Sequence, residues 1–277
     1  MATSTPTDIK QKVRERYGAV ARENTSCCGD ASAKVQESSC CGDAVTDTEI
    51  DIQLVDYGML NVEVVAEADL GLGCGIPTLS ADIQPGETVL DLGSGAGFDV
   101  FPAAKAVGSE GYVIGVDMTP DMIARAQENA RRSGYKNVDF RHGELEDMPV
   151  DGDSIDVILS NCVINLVPDK AKVFDEIHRV LKAGGRFSIS DIVTFGDVPE
   201  AIREDMVLWT GCIAGAVGQN DYLALIQAAG FNDVRIEKEQ RYDSTWIPDK
   251  YRRALGDHVN EMNGEYGIAS VTVVGVK

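Results

Sequence analysis

The stretch "VLDLGSGAGFD" (Val89–Asp99) decides the fold class. It begins as a short apolar run, which is typical of a buried parallel strand, and continues into a glycine-rich turn. Gly93, Gly95 and Gly97 lie where a strand gives way to a helix, so they permit a tight turn and the close approach of a ligand to the backbone. Ligands of such sheets bind beyond the carboxyl ends of the strands. We therefore expect a ligand site at this turn.

Strands and helices alternate from about residue 80 onward. This alternation predicts an α/β fold with a doubly wound, mainly parallel seven-stranded sheet, Rossmann-like in layout. The last strand follows an irregular connection, so we consider an antiparallel direction for it. The predicted strands are Glu87–Gly93, Gly111–Met118, Asn137–Gly143, Ile155–Ile164, Arg186–Val193, Asp233–Glu239 and Ala269–Lys277.

Two of the predicted helices have clear signals. In the first, Thr119 suits the N-cap, Pro120 the first helical position and Gly134 the end. The second, "DKAKVFDEIHRVLKAGG" (Asp169–Gly185), is amphipathic. Its apolar face consists of Val173, Phe174, Ile177, Val180 and Leu181.

Composition excludes several partners. The 277 residues are 44% hydrophobic and carry a formal net charge of −20, which argues against binding to nucleic acid or to an anionic membrane. No apolar run has the roughly 18–20 residues of a membrane span, and the start lacks the apolar stretch of a secretory signal. We expect a soluble cytoplasmic protein, in which the seven cysteines are thiols rather than a disulfide scaffold.

The amino-terminal part differs from the rest. Residues 1–45 combine a short helix (Asp8–Glu23) with a polar segment that carries the tetrapeptide Cys-Cys-Gly-Asp twice. We expect the polar segment to be mobile. For the helix, one placement that we consider is over the ligand pocket. Residues 46–84 are a predicted helical lead-in, and 85–277 are the predicted main domain, with an insert around 194–220. The cysteines of the doubled motif are Cys27, Cys28, Cys40 and Cys41.

The glycine turn is accompanied by polar residues at neighbouring strand ends. Asp91 precedes it, Asp117 ends the second strand, where it can accept hydrogen bonds from ribose hydroxyls, and Glu144-Leu145 follow the third. This combination resembles the seven-stranded S-adenosylmethionine-dependent methyltransferases. An NAD site is the rival, but its glycines are normally spaced as G-x-G-x-x-G. The residues that we assign to the donor are Asp91, Gly93, Ser94, Gly95, Gly97, Asp117, Met118, Glu144, Leu145 and Asn161.

Three further cysteines lie at positions that suggest an acceptor site. Cys162 closes the fourth strand, Cys212 lies in the insert after the fifth, and Cys74 lies in a glycine-rich turn before the sheet. Each could instead be a small buried hydrophobe, as cysteine often is. Soft thiolates suit a thiophilic acceptor such as trivalent arsenic.

At these residues the resemblance narrows. The segments "DLGLGCGIPT", "VIGVDMTPDMI", "SNCVINLVPDK" and "GCIAGA", preceded by "SCCG", are similar to those of the arsenite methyltransferases. The resemblance implies methyl transfer from S-adenosylmethionine to arsenic held by Cys162 and Cys212, with Cys74 tied to the thiol and redox part of the cycle. It also implies arsenite or its thiol conjugates as substrate, and a thiol reductant such as glutathione or thioredoxin. Some family members have a further carboxy-terminal domain beyond the position of the last predicted strand. Functions assigned to that domain are not transferred to this chain.

Several interpretations remain open. The doubled Cys-Cys-Gly-Asp could capture and deliver arsenic, supply reducing equivalents, or be a dispensable tail. Adjacent cysteines are poorly spaced for a zinc cage.

An arsenic lone pair needs no general base, and His142, His178 and His258 form no evident catalytic group. The alternative functions are a non-enzymatic thiol-based arsenic binder and methylation of an organic small molecule. The latter would leave the cysteines unexplained and usually needs a base.

Overall fold

A single seven-stranded sheet organises the protein. The computed structural model describes residues 5–23, 65–70, 72–196, 215–242 and 267–277. The strands are β1 (Thr88–Leu92), β2 (Tyr112–Asp117), β3 (Val138–His142), β4 (Ile155–Asn161), β5 (Leu181–Phe195), β6 (Asn232–Tyr242) and β7 (Gly267–Val276). Their order across the sheet is β3-β2-β1-β4-β5-β7-β6. The predicted fold class is confirmed.

Strand direction follows the prediction as well. β1, β2, β3, β4 and β5 pair in parallel, whereas β7 is antiparallel to both β5 and β6. The order of the strands reverses beside β1, which has β2 on one side and β4 on the other. Such a reversal opens a crevice at the carboxyl ends of the strands, and ligands of open α/β sheets bind there.

Six α-helices are described. They are α1 (Pro6–Glu23), α2 (Pro77–Ser80), α3 (Val100–Val107), α4 (Pro120–Ser133), α5 (Lys170–Val180) and α6 (Gln219–Ala228). In α4, Thr119 is the N-cap and Pro120 begins the helix. Gly134 ends it in the left-handed conformation, with φ of 76°, as its glycine signal predicts.

The helices cover both faces of the sheet. On one face α5 and α6 pack over β4 and β5, where the rings of Phe174 and Tyr222 meet edge to face with centroids 5.5 Å apart. On the other face α3 and α4 bury Phe101 against Phe140 and Tyr135. Fully burying one such apolar side chain contributes about 1.5–3 kcal/mol. The rigid sheet between these layers positions the strand ends that form the site.

The fifth strand begins earlier than predicted. Leu181 was assigned to the apolar face of the preceding helix, but α5 ends at Val180 and Leu181 pairs with Ile155 of β4. The helical spacing of Leu181 indicated burial correctly, and Leu181 is fully buried. Pairing with a neighbouring strand, which sequence periodicity does not record, determines its backbone conformation instead.

Several sequence interpretations fall on residues outside the described ranges. These are the doubled Cys-Cys-Gly-Asp segment, most of the lead-in region 46–84, most of the insert around 194–220 including Cys212, and His258. Among the helices within the described ranges, none combines the length and the apolar character that crossing a bilayer requires.

Candidate functional site

A pocket lies at the carboxyl ends of β1, β2 and β4, at the strand-order reversal. Its lining comes from the glycine turn, the ends of these strands, the segment 68–73 before β1, and α1. Of the residues assigned to the donor, those on the lining are Asp91, Gly93, Ser94, Gly95, Asp117, Met118, Leu145 and Asn161. A pocket is therefore present at the glycine turn, whereas Gly97 and Glu144, which are also assigned to the donor, are not on its lining.

The three glycines serve different purposes. Gly93 has φ of 63°, and a Cβ there would lie 2.4 Å from the Val163 side chain. Gly95 has φ of 51°, but a Cβ would meet no atom within 4 Å, because this part of the turn faces open space. At Gly97 a Cβ would come within 2.8 Å of the Phe101 ring. Gly97 therefore permits close packing of the turn on α3, whereas Gly95 exposes backbone to the pocket.

The Asp117 carboxylate fastens the glycine turn to the next helix. It accepts hydrogen bonds from the backbone N–H of Gly95 at 3.0 Å and of Thr119 at 2.8 Å. Burial raises the pKa of Asp117, although both backbone hydrogen bonds lower it by stabilising the ionised form. The side chain thus positions the turn as well as lining the pocket.

Two further buried carboxyls join Asp117 on the pocket lining. Burial raises the pKa of Asp91 well above its usual value, and the charges of Asp99 and Asp117 add to that shift. Burial also raises the pKa of Asp99 to about 6, against a hydrogen bond from Asn161 that lowers it. Three acidic groups in a poorly hydrated pocket favour a cationic ligand, because a nearby positive charge stabilises their ionised forms.

Helix α1 covers one side of the pocket. Lys10, Val13 and Tyr17 all contribute to the lining. The Lys10 ammonium lies 2.6 Å from a Glu144 carboxylate oxygen and 2.8 Å from one of Glu146. Glu144, which we assign to the edge of the donor, is thus also an ion-pair partner of α1. Its pKa is lowered chiefly by the hydrogen bond from Lys10.

Cys162 lines the pocket directly after β4 and packs against the apolar cluster that includes Ile9 and Val13 of α1. Its φ of 59° is in the left-handed region, which is uncommon for a residue with a Cβ and is associated with functional sites. Its N–H donates a 2.8 Å hydrogen bond to the carbonyl of Ser190 on β5. The thiol is partly buried and lines the pocket, as predicted for a strand-end cysteine.

Cys74 is buried next to the lining residue Gly73. The Asn161 carbonyl oxygen accepts hydrogen bonds from the N–H of Cys74 at 3.0 Å and of Gly75 at 3.2 Å. The Ser270 hydroxyl donates to the carbonyl of Cys74 at 2.5 Å. Asn161 therefore clamps the Cys74 loop to the end of β4, a role beyond the donor contact that we assign to it.

These restraints bring two predicted site residues together with one that was not predicted. One ligand atom each from Cys74, Cys162 and Asp191 lies within 4.8 Å of the others. Asp191 lies on β5 and is fully buried. Asp156, near the start of β4, accepts hydrogen bonds from Lys182 and from the N–H of Thr88.

Sequence reasoning missed several pocket residues. Asp99 follows the glycine triplet by two positions, and that spacing was a usable signal. Lys10 and Tyr17 lie on the predicted amino-terminal helix, for which a position over the pocket is one placement considered from the sequence. No local pattern distinguishes Asp191 from the other polar residues of β5.

Comparison with known proteins places the chain in a family. Residues 83–230, more than half of the chain, match the family described as a methyltransferase domain, and the chain therefore belongs to that family. Within it, the resemblance to the arsenite methyltransferases is confirmed. The chain is 44% identical over 263 residues to the arsenite methyltransferase of Halobacterium salinarum, with 94% of this chain and 66% of that protein aligned.

Two other relatives agree. The arsenite methyltransferase of Aquipseudomonas alcaligenes is 43% identical over 61% of this chain and 50% of its own length. The crystal structure of CrArsM, an arsenic(III) S-adenosylmethionine methyltransferase from Chlamydomonas reinhardtii, superposes with a TM-score of 0.64. Its sequence is 37% identical, and the match covers 74% of this chain and 67% of CrArsM. The chain spans between 50% and 66% of the two curated relatives' lengths.

Proposed function

We propose that this protein transfers the methyl group of S-adenosyl-L-methionine to trivalent arsenic held by the thiolates of Cys74, Cys162 and Cys212. One observation carries the proposal. Two thiols lie within 4.8 Å of each other. One of them, Cys162, lines the same pocket as the strand–glycine turn–helix segment. The relatives named above act, by name, on arsenite. Soft thiolates are the ligands that a soft, thiophilic acceptor prefers.

The donor end fits a cationic co-substrate. S-adenosylmethionine supplies an electrophilic methyl group on a positively charged sulfonium. Asp91, Asp99 and Asp117 favour a cation, whereas the anionic pyrophosphate of NAD would meet repulsion there. We assign the donor to the residues proposed from the sequence: Asp91, Gly93, Ser94, Gly95, Gly97, Asp117, Met118, Glu144, Leu145 and Asn161.

The chain's task in this reaction is to hold the acceptor in place. A trivalent arsenic lone pair has no proton to lose, so no general base is needed for attack. Of the described histidines, His142 has its Nε2 3.1 Å from the Met118 carbonyl, and His178 packs on the Phe231 ring. Holding the reacting atoms roughly 3–3.5 Å apart can lower the barrier by ~7–11 kcal/mol.

Methyl transfer leaves arsenic formally pentavalent, so two electrons must return it to the trivalent state. Two neighbouring thiols supply them by forming a disulfide. A small thiol or dithiol reductant, glutathione or thioredoxin, then reduces that disulfide through a mixed disulfide. We place this cycle in the cytoplasm, where thiols are kept reduced.

Other parts of the chain have supporting roles in the proposal. Residues 85–277 form the methyltransferase domain, the insert around 194–220 brings Cys212 to the acceptor, and residues 46–84 lead into the domain. Residues 1–45 contribute α1 to the pocket and the thiols Cys27, Cys28, Cys40 and Cys41 for arsenic delivery. A tether of this kind raises the local concentration of thiols.

The test is incubation with arsenite, glutathione and S-adenosylmethionine, followed by chromatographic separation of the arsenic species. We expect methylated arsenic only when all three are present. Retention of arsenite and of labelled donor without methylated product would indicate a non-enzymatic arsenic binder. Consumption of the donor with an organic acceptor, at an unchanged rate when arsenite is omitted, would refute the arsenic assignment.

A further inference from the structure

A buried carboxylate beside the two thiols has no role in the proposed reaction. Asp191 is fully buried on β5, at the level where β4 ends in Asn161 and Cys162. Burying an ionisable group away from water is costly unless other groups compensate. Burial raises the pKa of Asp191 to about 7, against the Ile192 backbone hydrogen bond and the charge of Lys170, which lower it.

The carboxylate is held in one orientation from both sides. Its Oδ1 accepts hydrogen bonds from the Asn165 side-chain amide at 2.8 Å and from the Ile192 N–H at 3.0 Å. Its Oδ2 accepts one from the Tyr222 hydroxyl at 3.2 Å. Carboxylates that bind metals are characteristically oriented by such surrounding hydrogen bonds.

The distances suit a metal ion. The three ligand atoms of Cys74, Cys162 and Asp191 lie within 4.8 Å of one another. Bonds of about 2.3 Å from zinc to sulfur and about 2.0–2.2 Å to oxygen place tetrahedral ligand atoms roughly 3.5–3.8 Å apart. We propose that Cys74, Cys162 and Asp191 form a mixed thiolate–carboxylate site for a thiophilic divalent cation such as Zn²⁺ or Cd²⁺.

The charges balance around such an ion. Two thiolates and one carboxylate carry three negative charges, and the cation neutralises two of them. The Lys170 ammonium, which donates to the Val167 carbonyl at 3.1 Å, supplies a further positive charge nearby. On binding, two S–M bonds and one O–M bond form, two S–H bonds break, the protons pass to water and the hydrated cation releases water ligands, with no change of oxidation state.

The site has a consequence for the acceptor. A cation on Cys74 and Cys162 occupies the thiols that the proposed reaction needs, so it blocks arsenite binding. Only this competition depends on the proposed function; binding of the cation does not. Three ligands come from the described residues, and they leave a fourth tetrahedral position for a further ligand, as in metal sites that exchange ligands.

The experiment is a Cd²⁺ titration of the full chain without arsenite or donor. Because Cys27, Cys28, Cys40 and Cys41 could bind the ion themselves, the parent protein carries serine at all four. Calorimetry gives the affinity and stoichiometry, and the ultraviolet cadmium–thiolate charge-transfer band reports sulfur ligands. We expect one Cd²⁺ per chain, displaced by Zn²⁺. Cys74→Ser and Cys162→Ser should each lose about half of the band, whereas an unchanged band in either would overturn the proposal.

The carboxylate is tested separately. Asp191→Asn should weaken Cd²⁺ binding about tenfold or more while leaving the charge-transfer band per bound ion unchanged. Asp175→Asn, on the exposed face of α5, is the matched control and should bind as the parent does. Equal affinity of Asp191→Asn and parent would show that the carboxylate is not a ligand.

Two further variants complete the test. If Asp191→Asn does not fold, Tyr222→Phe replaces it, since removal of the orienting hydroxyl should weaken binding roughly tenfold. An unchanged affinity there would overturn the proposal.

Cys212→Ser should bind Cd²⁺ within tenfold of the parent, and complete loss would assign the ion to a different ligand set. Cadmium binding without arsenic methylation would refute the proposed function and leave this site standing.

Discussion

The two ends of the pocket are built in different ways. The donor end comes largely from one continuous stretch, from Asp91 to Asp99, tied to the next strand end through Asp117. The acceptor end is assembled from distant segments: Cys74 is clamped by Asn161, 87 positions away, and by Ser270, 196 positions away. A local motif can be recognised from sequence, whereas a site assembled by long-range contacts requires the fold.

The difference has a functional counterpart. The donor end uses buried carboxyls and backbone, whose positions are fixed by turn geometry, and the acceptor end uses thiols on loops held by hydrogen bonds. Substitutions should therefore separate the two ends.

Cys162→Ser should reduce methylation of both arsenite and monomethylarsenite about 100-fold or more, because a hydroxyl is a hard, largely protonated ligand that cannot replace a soft thiolate. Cys212→Ser should do the same. Donor affinity, measured by calorimetry, should stay within threefold or so of the parent. Cys74→Ser should spare monomethylarsenite, which needs fewer thiolates. Full activity of Cys162→Ser on either substrate would refute the acceptor site.

Asp117→Ala should weaken S-adenosylmethionine binding roughly 10–100-fold, since it removes a partly buried charged acceptor that also holds the N–H groups of Gly95 and Thr119. Arsenite binding should be nearly unchanged. Titration of both ligands into the same preparation checks this, and Asp117→Asn should give an intermediate donor affinity. Parallel loss of both ligands in a folded variant would show that the ends are not separable.

Asp99→Asn should flatten the pH dependence of stability. Burial raises the pKa of Asp99 to about 6 in the folded state, so the unfolded chain loses this proton at lower pH. The free energy of unfolding should therefore fall as pH rises from about 4 to about 6, by up to ~1.4 kcal/mol per pH unit for one proton. Urea unfolding of the ligand-free protein across this range is the measurement. Asp175→Asn, an exposed carboxyl, should leave the slope unchanged.

Features of the structure that depend on local contacts could be predicted from the sequence, whereas those that depend on distant contacts could not. The seven strands, the cap residues of α4 and the glycine turn are encoded by neighbouring residues, so they could be predicted. The packing of Gly97 against Phe101 could not, because it depends on how α3 returns to the turn. The cysteines Cys74 and Cys162 were found through residue chemistry and family resemblance rather than through spacing.

What was missed depends on pairing between segments. The start of β5 at Leu181 is determined by its partner Ile155. The position of α1 depends on apolar packing of Ile9 and Val13 and on ion pairs that span more than a hundred residues. Asp191 could not be distinguished in sequence from the buried serines beside it. Its proximity to the thiols arises only because β5 lies next to β4 in the sheet.

Lys10→Ala tests the cover over the donor end. Loss of its contacts with Glu144 and Glu146 should weaken donor binding a few-fold, since partly exposed ion pairs contribute only about 0–1 kcal/mol. The effect should shrink at high salt, where such pairs are screened. Lys12→Ala, on the exposed side of the same helix, is the matched control. A salt-independent loss, or an equal loss in Lys12→Ala, would contradict an electrostatic role for Lys10.

The cysteines of the doubled Cys-Cys-Gly-Asp motif provide the last test. Serine at Cys27, Cys28, Cys40 and Cys41 together should leave folding and the saturated rate nearly unchanged and slow turnover a few-fold when arsenite is scarce or bound to glutathione. That pattern indicates delivery, because a tethered thiol matters most when free substrate is limiting.

A role as reductant predicts instead a loss that persists at saturation and is relieved by excess dithiol, such as reduced thioredoxin. Rates against arsenite concentration, with and without dithiol, separate the two, and keeping α1 intact ensures that the cover over the donor end does not change. Identical rates at every arsenite concentration would show the segment to be dispensable, and the acceptor end would then capture arsenic without help.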